Sequence, residues 1–236
     1  MPPPYIYHYN HMKNVIYIEN KRVYLESDSG QIRDEELYCT IKDRINRRAA
    51  LPQSNFDWES VYTDAESLAE TVGIDLIIAS YFTVAAFKTR GFSGLANGLA
   101  LINSALLNQD TSDLKQGKLN RGLVDWIKNQ IIKDIGVLQP NYDSLRDLYR
   151  CERECQVLDD VSGSQNEANE GCFEDVALEL LKQIERLEMR YHRSEKVQER
   201  VVEELSKFSW NDTVLVVAAS LISVAFTFVV MTYLPK

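Results

Sequence analysis

Residues 214–234 form a largely apolar stretch with no charged residue and no proline. This stretch limits the fold more than any other segment, because a helix over its 21 residues would span roughly 31 Å, about the thickness of a bilayer core. A helix also pairs its own backbone polar groups, which lipid requires. Aromatic residues flank the stretch at Phe208, Trp210 and Tyr233, where an interfacial belt is expected. The sequence therefore predicts a transmembrane tail anchor over residues 208–236, with a very apolar core helix as the alternative.

The basic residues around this stretch predict its orientation. Four of them lie between residues 193 and 207, whereas Lys236 alone follows the stretch. Because positively charged flanks stay in the cytoplasm, the predicted single-pass anchor would leave residues 1–210 on the cytoplasmic side.

Charge and cysteine content narrow the classes of partner and site. The chain has 236 residues and a formal net charge of −9, which argues against nucleic acid, since its binders normally carry a basic face. The four cysteines, Cys39, Cys151, Cys155 and Cys172, lack the paired C-x2-C spacing of zinc sites. We therefore expect no metal site and interpret most of these cysteines as small buried hydrophobic residues.

The N-terminal arm, residues 1–30, is rich in tyrosine, isoleucine and valine. Its segment VIYIENKRVYL places β-favouring residues on both sides of Glu19, Asn20 and Lys21, which is typical of two short strands joined by a turn. A packed hairpin and an irregular arm both fit this pattern.

A helical domain is predicted over residues 31–158. Its first helix, 34–48, places apolar residues at helical spacing and ends in Arg44, Arg47 and Arg48. These cations suit the negative end of a helix, and they are also candidates for contact with an acidic partner.

The centre of this domain is predicted to consist of apolar helices on both sides of Gly91. The helix over 57–72 carries Trp58, and the next helix, which is apolar on nearly all sides, opens at Asp75 and Leu76. Gly91 is expected to adopt the left-handed conformation with which many helices end.

A glycine-containing helix is predicted next. Gly94 and Gly98 are spaced for close helix packing, and Leu95 and Leu99 continue the core stripe. The spacing is not that of a phosphate loop, which needs GxGxxG after a strand or a P-loop lysine. Two polar residues on the exposed side of this helix are further candidates for partner contact: Ser93 and Asn97.

These motifs resemble those of a known family. They occur in the family's order: Asp57-Trp58, Asp75-Leu76 and Gly91-Phe92-x-Gly94-Leu95-x-x-Gly98-Leu99. Residues 31–108 thereby resemble the ImpA N-terminal domain of the TssA-like proteins of bacterial type VI secretion. The later stretch Asp147-Leu148-Tyr149-Arg150-x-Glu152 resembles the membrane-anchored VasL-like or TagA-like branch of that family.

The resemblance implies a non-enzymatic accessory protein of the bacterial inner membrane. Such a protein would contact baseplate, sheath or tube subunits and assist or end their assembly. The matching motif residues, including Trp58, Asp75, Leu76 and the glycines, would then maintain the domain. The expected fold is mainly α, with an antiparallel helical domain, a long helix and one C-terminal transmembrane helix.

The region between the domain and the apolar stretch is predicted to contain a linker and a long helix. Residues 159–172 have the polar composition of a flexible linker. In the helix over 173–207, apolar residues recur at alternating steps of four and three, which is typical of a coiled coil and of a homo-oligomer. The alternative is a long helix packed back on its own domain.

The sequence contains no recognisable catalytic motif. It has three histidines and no P-loop, zinc-protease or Ser/His/Asp pattern. We therefore expect no catalytic residues and no cofactor. Two other functions fit the same chain: a generic tail-anchored coiled-coil adaptor unrelated to secretion, and a membrane-bound enzyme, which would need a concave pocket with convergent polar groups.

Overall fold

The computed structural model describes residues 14–26, 30, 32–48, 56–109, 114–165, 171–206 and 210–233. This part of the chain is mainly helical, as the sequence predicts. Its elements in chain order are β1 (Asn14–Ile18), β2 (Lys21–Leu25), α1 (Glu36–Arg47), α2 (Trp58–Thr71), α3 (Leu76–Leu107), α4 (Leu114–Val137), α5 (Leu145–Gln165), α6 (Glu174–Ser206) and α7 (Trp210–Tyr233). The chain divides into two compact units, Met1–Leu187 and Glu188–Lys236.

Of the two alternatives for the N-terminal arm, a packed hairpin and an irregular segment, residues 14–25 form the hairpin. β1 and β2 pair antiparallel along their whole length. Glu19 and Asn20 form the two-residue turn with φ angles of 49° and 68°, the positive values of a type I′ turn, whose twist suits the strands. Leu25 forms a parallel bridge with Ile74, so the hairpin is attached to the helical body just before α3.

Helices α1 and α2 each bury one face. In α1 the buried residues are Tyr38 and Ile41. The buried residues of α2 recur at steps of four, three and one: Val61, Ala65, Leu68 and Ala69. Asp57 caps α2 by accepting the backbone N–H of Ser60 at 3.0 Å, which satisfies one of the unpaired amides of the first turn.

Helix α3 is a helical hairpin rather than a straight rod. At Gly91 the backbone has a φ of 63°, which glycine adopts at little cost, and the helix reverses there. A straight helix would separate Thr83 from Gly98 by roughly 22 Å, yet a Cβ built on Gly98 would lie 2.6 Å from the Cα of Thr83. The first half, residues 76–90, therefore lies directly against the second half, residues 92–107.

Two glycines permit this close contact within α3. A Cβ built on Gly94 would lie 2.2 Å from the carbonyl oxygen of Ala86, and Gly98 is equally restricted by Thr83. Neither position has space for a methyl group, so the contact requires glycine. This is the close packing that the small-x-x-x-small spacing predicts.

Helices α4 and α5 both pack on α3. Their buried residues repeat at helical spacing: Val124, Ile127, Ile131 and Ile135 in α4, and Leu148, Cys151, Cys155 and Leu158 in α5. Helix α5 continues to Gln165, so residues 159–165 of the predicted linker are helical. Residues 166–170 of that linker lie outside the described residues.

The first part of α6 is buried against the helical unit. Its buried residues, with the one that precedes the helix, are Phe173, Val176, Leu180, Ile184 and Leu187. The side-chain amide of Gln183 donates to the backbone carbonyl of Ile135 in α4 at 3.1 Å. Up to Leu187, the predicted seam therefore packs on the chain's own domain, which is the alternative to a coiled coil that the sequence leaves open. Farther along, Tyr191 and Ser194 are exposed, and the side chains of Val201 and Leu205 lie outside the described ones.

Replacing Leu180 by alanine tests this intramolecular packing. We expect the free energy of unfolding of the full chain to fall by roughly 2–4 kcal/mol, because the change leaves a cavity in a packed core. The matched change Leu178→Ala, on the exposed side of the same helix, should cost less than about 0.5 kcal/mol. Urea unfolding at two protein concentrations measures both. A loss that depends on protein concentration would instead assign Leu180 to a contact between copies.

The predicted transmembrane helix and single-pass inner-membrane localisation are wrong. Within the described part of the chain, no helix is long and apolar enough to cross a membrane. The predicted interface residue Phe208 lies outside the described residues.

Candidate functional site

A cavity of about 180 Å³ lies beneath the N-terminal hairpin. The hairpin, α2 and both halves of α3 contribute to its lining. Its apolar walls are formed by Ile18, Val23, Ala69, Phe82 and Leu101. Its polar lining consists of Glu19, Lys21, Tyr62, Glu66, Glu70 and Asn97, and we call this whole arrangement the hairpin cavity.

Ionic and hydrogen bonds fix the hairpin over this cavity. The ammonium of Lys21 lies 2.8 Å from Glu66 Oε1 and 3.4 Å from Glu70 Oε1. The hydroxyl of Ser93 donates to Glu19 Oε1 at 3.2 Å. The hydrogen bond to Glu66 raises the pKa of Lys21 above its ordinary value. The hairpin turn is thereby joined to α2 on one side and to the second half of α3 on the other.

The polar wall that α2 supplies is a carboxylate held by two donors. Tyr62 donates its hydroxyl to Glu66 Oε1 at 2.7 Å, the same oxygen that Lys21 contacts. Burial, followed by this hydrogen bond, raises the pKa of Tyr62 to about 12. Burial also raises the pKa of Glu66, but the hydrogen bonds from Lys21 and Tyr62 outweigh it and leave that pKa below its ordinary value. At neutral pH Glu66 is therefore an anion and Tyr62 a neutral phenol.

An arginine covers the outer side of the aromatic wall. Arg90 forms a two-pronged pair with Glu59, at 2.9 and 2.5 Å. Its guanidinium carbon lies 4.7 Å from the centroid of the Tyr62 ring, and that ring stacks on Phe82 at 5.3 Å. These contacts fix the orientation of Tyr62 toward the cavity.

The bottom of the hairpin cavity is formed by Asn97. This residue is 8% exposed, and its Oδ1 accepts a hydrogen bond from Arg150 Nη2 of α5 at 2.8 Å. Arg150 is also paired with Asp147 at 3.3 Å. The prediction that Asn97 lies on the exposed side of its helix is wrong, because α5 covers that side. Ser93 lies one turn earlier, is half-buried and contacts Glu19 of the cavity lining.

The predicted basic site at the end of α1 is not part of this cavity. Arg44 pairs with Asp64 of α2, and Arg48 hydrogen-bonds the side chain of Gln130 in α4. The guanidinium of Arg48 also lies 4.8 Å from the centroid of the Trp58 ring. Both arginines therefore join helices of the domain, whereas Arg47 is largely exposed.

The Asp-Leu pair before α3 serves the structure of the domain. Asp75 is 5% exposed and caps α3, since its Oδ1 accepts the backbone N–H of Ile78 at 2.9 Å. Its Oδ2 accepts the hydroxyl of Tyr38 at 3.0 Å, which joins α1 to α3. Leu76 is buried beside it. Burial outweighs these hydrogen bonds and raises the pKa of Asp75 above its ordinary value of 3.8.

Asp75 should make stability depend on pH. Because folding raises the pKa of Asp75 above 3.8, the stability that comes from its proton binding is complete below that pH and is lost as pH rises through the folded pKa. As the pH rises from about 3.5 to about 7, the wild type should therefore lose free energy of unfolding relative to Asp75→Asn. Urea titrations of both proteins across this range measure it. A constant difference would contradict the raised pKa.

Five polar residues that line the cavity were not singled out from sequence as site residues: Glu19, Lys21, Tyr62, Glu66 and Glu70. The i,i+4 spacing of Glu66 and Glu70 places both on one helical face, which is a signal that periodicity could have provided. The pairing of Lys21 with that face needs the position of the hairpin, which sequence spacing does not reveal.

All four cysteines are free thiols, of which Cys39 is exposed and Cys172 is half-buried. Cys151 and Cys155 are buried, and burial raises the pKa of both thiols. The Cys151 thiol donates to the carbonyl of Phe92 at 3.2 Å. Among the described residues, no group of three or more His, Cys, Asp or Glu side chains is placed to bind a metal ion.

Comparison with known families identifies the part of the chain that builds most of this site. Residues 25–111 match the family model described as ImpA, N-terminal, type VI secretion system. The match supports membership of the ImpA N-terminal family for this part of the chain. This confirms the resemblance predicted for residues 31–108 and indicates a protein associated with type VI secretion. No curated protein and no solved structure matches the chain.

The matched range covers part of the first compact unit of the chain. The matched range starts at Leu25, the last residue of β2, and covers α1, α2 and α3. The remainder of the hairpin and α5 lie outside it. The hairpin cavity therefore combines residues of the matched domain with Ile18, Glu19, Lys21 and Val23, which precede it.

Proposed function

We propose that this chain is a non-enzymatic assembly factor of type VI secretion, which contacts baseplate, sheath or tube subunits and assists or ends their assembly. The observation that carries the proposal is the ImpA N-terminal domain at residues 25–111. The buried polar side chains Asp75, Tyr38 and Asn97 hold helices together. Because these groups serve the structure of the domain, the geometry favours a binding role over a catalytic one. The hairpin cavity is the concave surface that this domain offers to a partner.

We further propose that the chain acts as a homo-oligomer of the VasL-like or TagA-like branch. The branch assignment rests on the stretch of residues 147–152, in which Arg150 reaches Asn97 of the matched domain. Self-association would use α6 beyond residue 188, where Met189, Tyr191 and Val197 are exposed. Linked copies would gain avidity for a repetitive tube or sheath without any new contact.

The experiment is a cross-linking affinity purification of the tagged full-length chain from bacterial cells that are assembling the secretion machine. Mass spectrometry should find baseplate, sheath or tube subunits enriched over the same tag on an unrelated protein. A strain that lacks the sheath gene separates direct baseplate contacts from contacts through the sheath. If cross-links in assembling cells join the chain only to itself, the proposed function fails.

A further inference from the structure

The hairpin cavity has the size of an amino-acid side chain with part of its backbone. Its volume of about 180 Å³ lies below the roughly 300–1,000 Å³ of pockets for small molecules and cofactors. Five of its lining residues are apolar: Ile18, Val23, Ala69, Phe82 and Leu101. Such walls suit the methylene stem of a long polar side chain, which buries its carbons and keeps its charged end at the rim.

The charges of the lining favour a cation. Three carboxylates, Glu19, Glu66 and Glu70, line the cavity together with one ammonium, that of Lys21. Glu66 uses a single oxygen, Oε1, for both Tyr62 and Lys21. A second cation could therefore approach the other oxygen of Glu66 or the half-exposed carboxylate of Glu70.

The bottom of the cavity offers an amide donor. Asn97 is 8% exposed and lines the cavity. Its oxygen accepts a hydrogen bond from Arg150, which leaves its amide group as the donor on the cavity side. A carbonyl oxygen brought in by a binding segment would accept from this amide.

We propose that the hairpin cavity binds a lysine- or arginine-bearing segment of a protein partner. A backbone carbonyl of the segment accepts from Asn97, and its cationic side chain pairs with Glu66 and Glu70. This inference deepens the proposed function and rests on it, since the segment belongs to a subunit of the secretion assembly.

Lys21 is the internal competitor for this cation. Its ammonium lies within 3.4 Å of oxygens of both Glu66 and Glu70 and so competes with a partner's cation for the negative charge of the same two carboxylates. Removing the Lys21 charge should therefore strengthen binding, whereas removing the Glu70 charge should weaken it. A purely structural role of this ion pair would not produce effects of opposite sign, because both changes break the same contact.

The probes are 12-residue synthetic peptides that tile the sheath, tube and baseplate subunits, tested against the full-length protein by fluorescence anisotropy. For each bound peptide, every lysine is replaced in turn by norleucine, which keeps the stem and removes the charge, and every arginine by citrulline. We expect one basic residue per bound peptide to account for at least a fivefold loss of affinity when it is replaced.

The variants are Lys21→Gln and Glu70→Gln, with Glu185→Gln on the exposed side of α6 as the matched charge control. Lys21→Gln should raise the affinity for the bound peptides about threefold, and Glu70→Gln should lower it about threefold to fivefold. The control Glu185→Gln should leave this affinity unchanged. Circular dichroism melts establish that all three variants are folded.

The outcomes separate this inference from the proposed function. One outcome is that cross-linking recovers secretion subunits while no peptide binds, and another is that replacing the peptides' basic residues leaves their affinity unchanged. Either result overturns the cavity proposal and leaves the proposed function in place. Weaker binding by both Lys21→Gln and Glu70→Gln also overturns it. If peptides bind with the expected signs but assembling cells yield no secretion subunit, the cavity binds basic segments and the proposed function fails.

Discussion

Replacing Gly94 by alanine should lower the free energy of unfolding of the full chain by about 3 kcal/mol or more, beyond the usual cost of an overpacked core. The added Cβ would lie 2.2 Å from the carbonyl oxygen of Ala86. That neighbour is backbone inside a helix, so it cannot move aside by rotating a side chain. The two halves of α3 must separate, and the hairpin cavity between them, α2 and the strands would open. Urea unfolding followed by circular dichroism measures the loss.

Gly122→Ala is the matched control for this prediction. Gly122 lies in α4, where an added Cβ meets no atom within 4 Å. Alanine should stabilise the helix there by about 0.5–1 kcal/mol, because it restricts the unfolded chain more than glycine does. Gly98→Leu, which places its side chain against Thr83, should behave like Gly94→Ala. If Gly94→Ala matched Gly122→Ala in sign and size, the close packing of α3 would be contradicted.

The second large effect is expected from Asp75→Ala. The change removes the cap of α3, typically about 1 kcal/mol, and leaves the buried hydroxyl of Tyr38 without its acceptor, about 1–3 kcal/mol more. We therefore expect a loss of roughly 2–4 kcal/mol at neutral pH, measured by urea unfolding. Tyr38→Phe should restore part of this loss in the Asp75→Ala background, because it removes the unpaired hydroxyl.

Asp57→Ala is the control for the cap alone. Asp57 caps α2 through Ser60 in the same way, but it is exposed and holds no second helix. Its loss should be clearly smaller than that of Asp75→Ala. Equal losses would show that the Tyr38 hydrogen bond contributes nothing, and Asp75 would then act as a cap only.

Local chemistry made the centre of this fold predictable. Gly91, the spacing of Gly94 and Gly98, and the capping residue Asp75 each specify a backbone feature through the residue itself. The structure has the reversal, the close contact and the cap at these positions. The hairpin was one of two alternatives, and the left-handed pair Glu19 and Asn20 decides it, although neither residue is a glycine.

Features that depend on packing between distant segments were not predictable in the same way. Periodicity placed Asn97 on the outer side of its helix, but α5 covers that side and Arg150 binds it. The heptad pattern of α6 identified the apolar face of the helix but not the surface that covers it. Leu180 and Ile184 contact the chain's own core rather than a second copy of the helix. A pattern gives the apolar face of a helix and not the surface that covers it.

The basic residues at the end of α1 illustrate the same limit. Arg44 and Arg48 look solvent-exposed by their position in the last turn, yet both join other helices of the domain. The hairpin cavity was missed because its ion pair connects Lys21 to Glu66, which are far apart in the chain and meet only after the hairpin packs on α2.

We propose above that this chain takes part in the assembly of the type VI secretion machine. Live-cell fluorescence imaging of a labelled sheath subunit, in the host and in a strain that lacks the gene for this chain, tests it most directly. We predict that the deletion changes the number, length or lifetime of extended sheaths, and that the wild-type gene restores them whereas Gly94→Ala does not. Sheaths that assemble, extend and contract identically in both strains would contradict the claim.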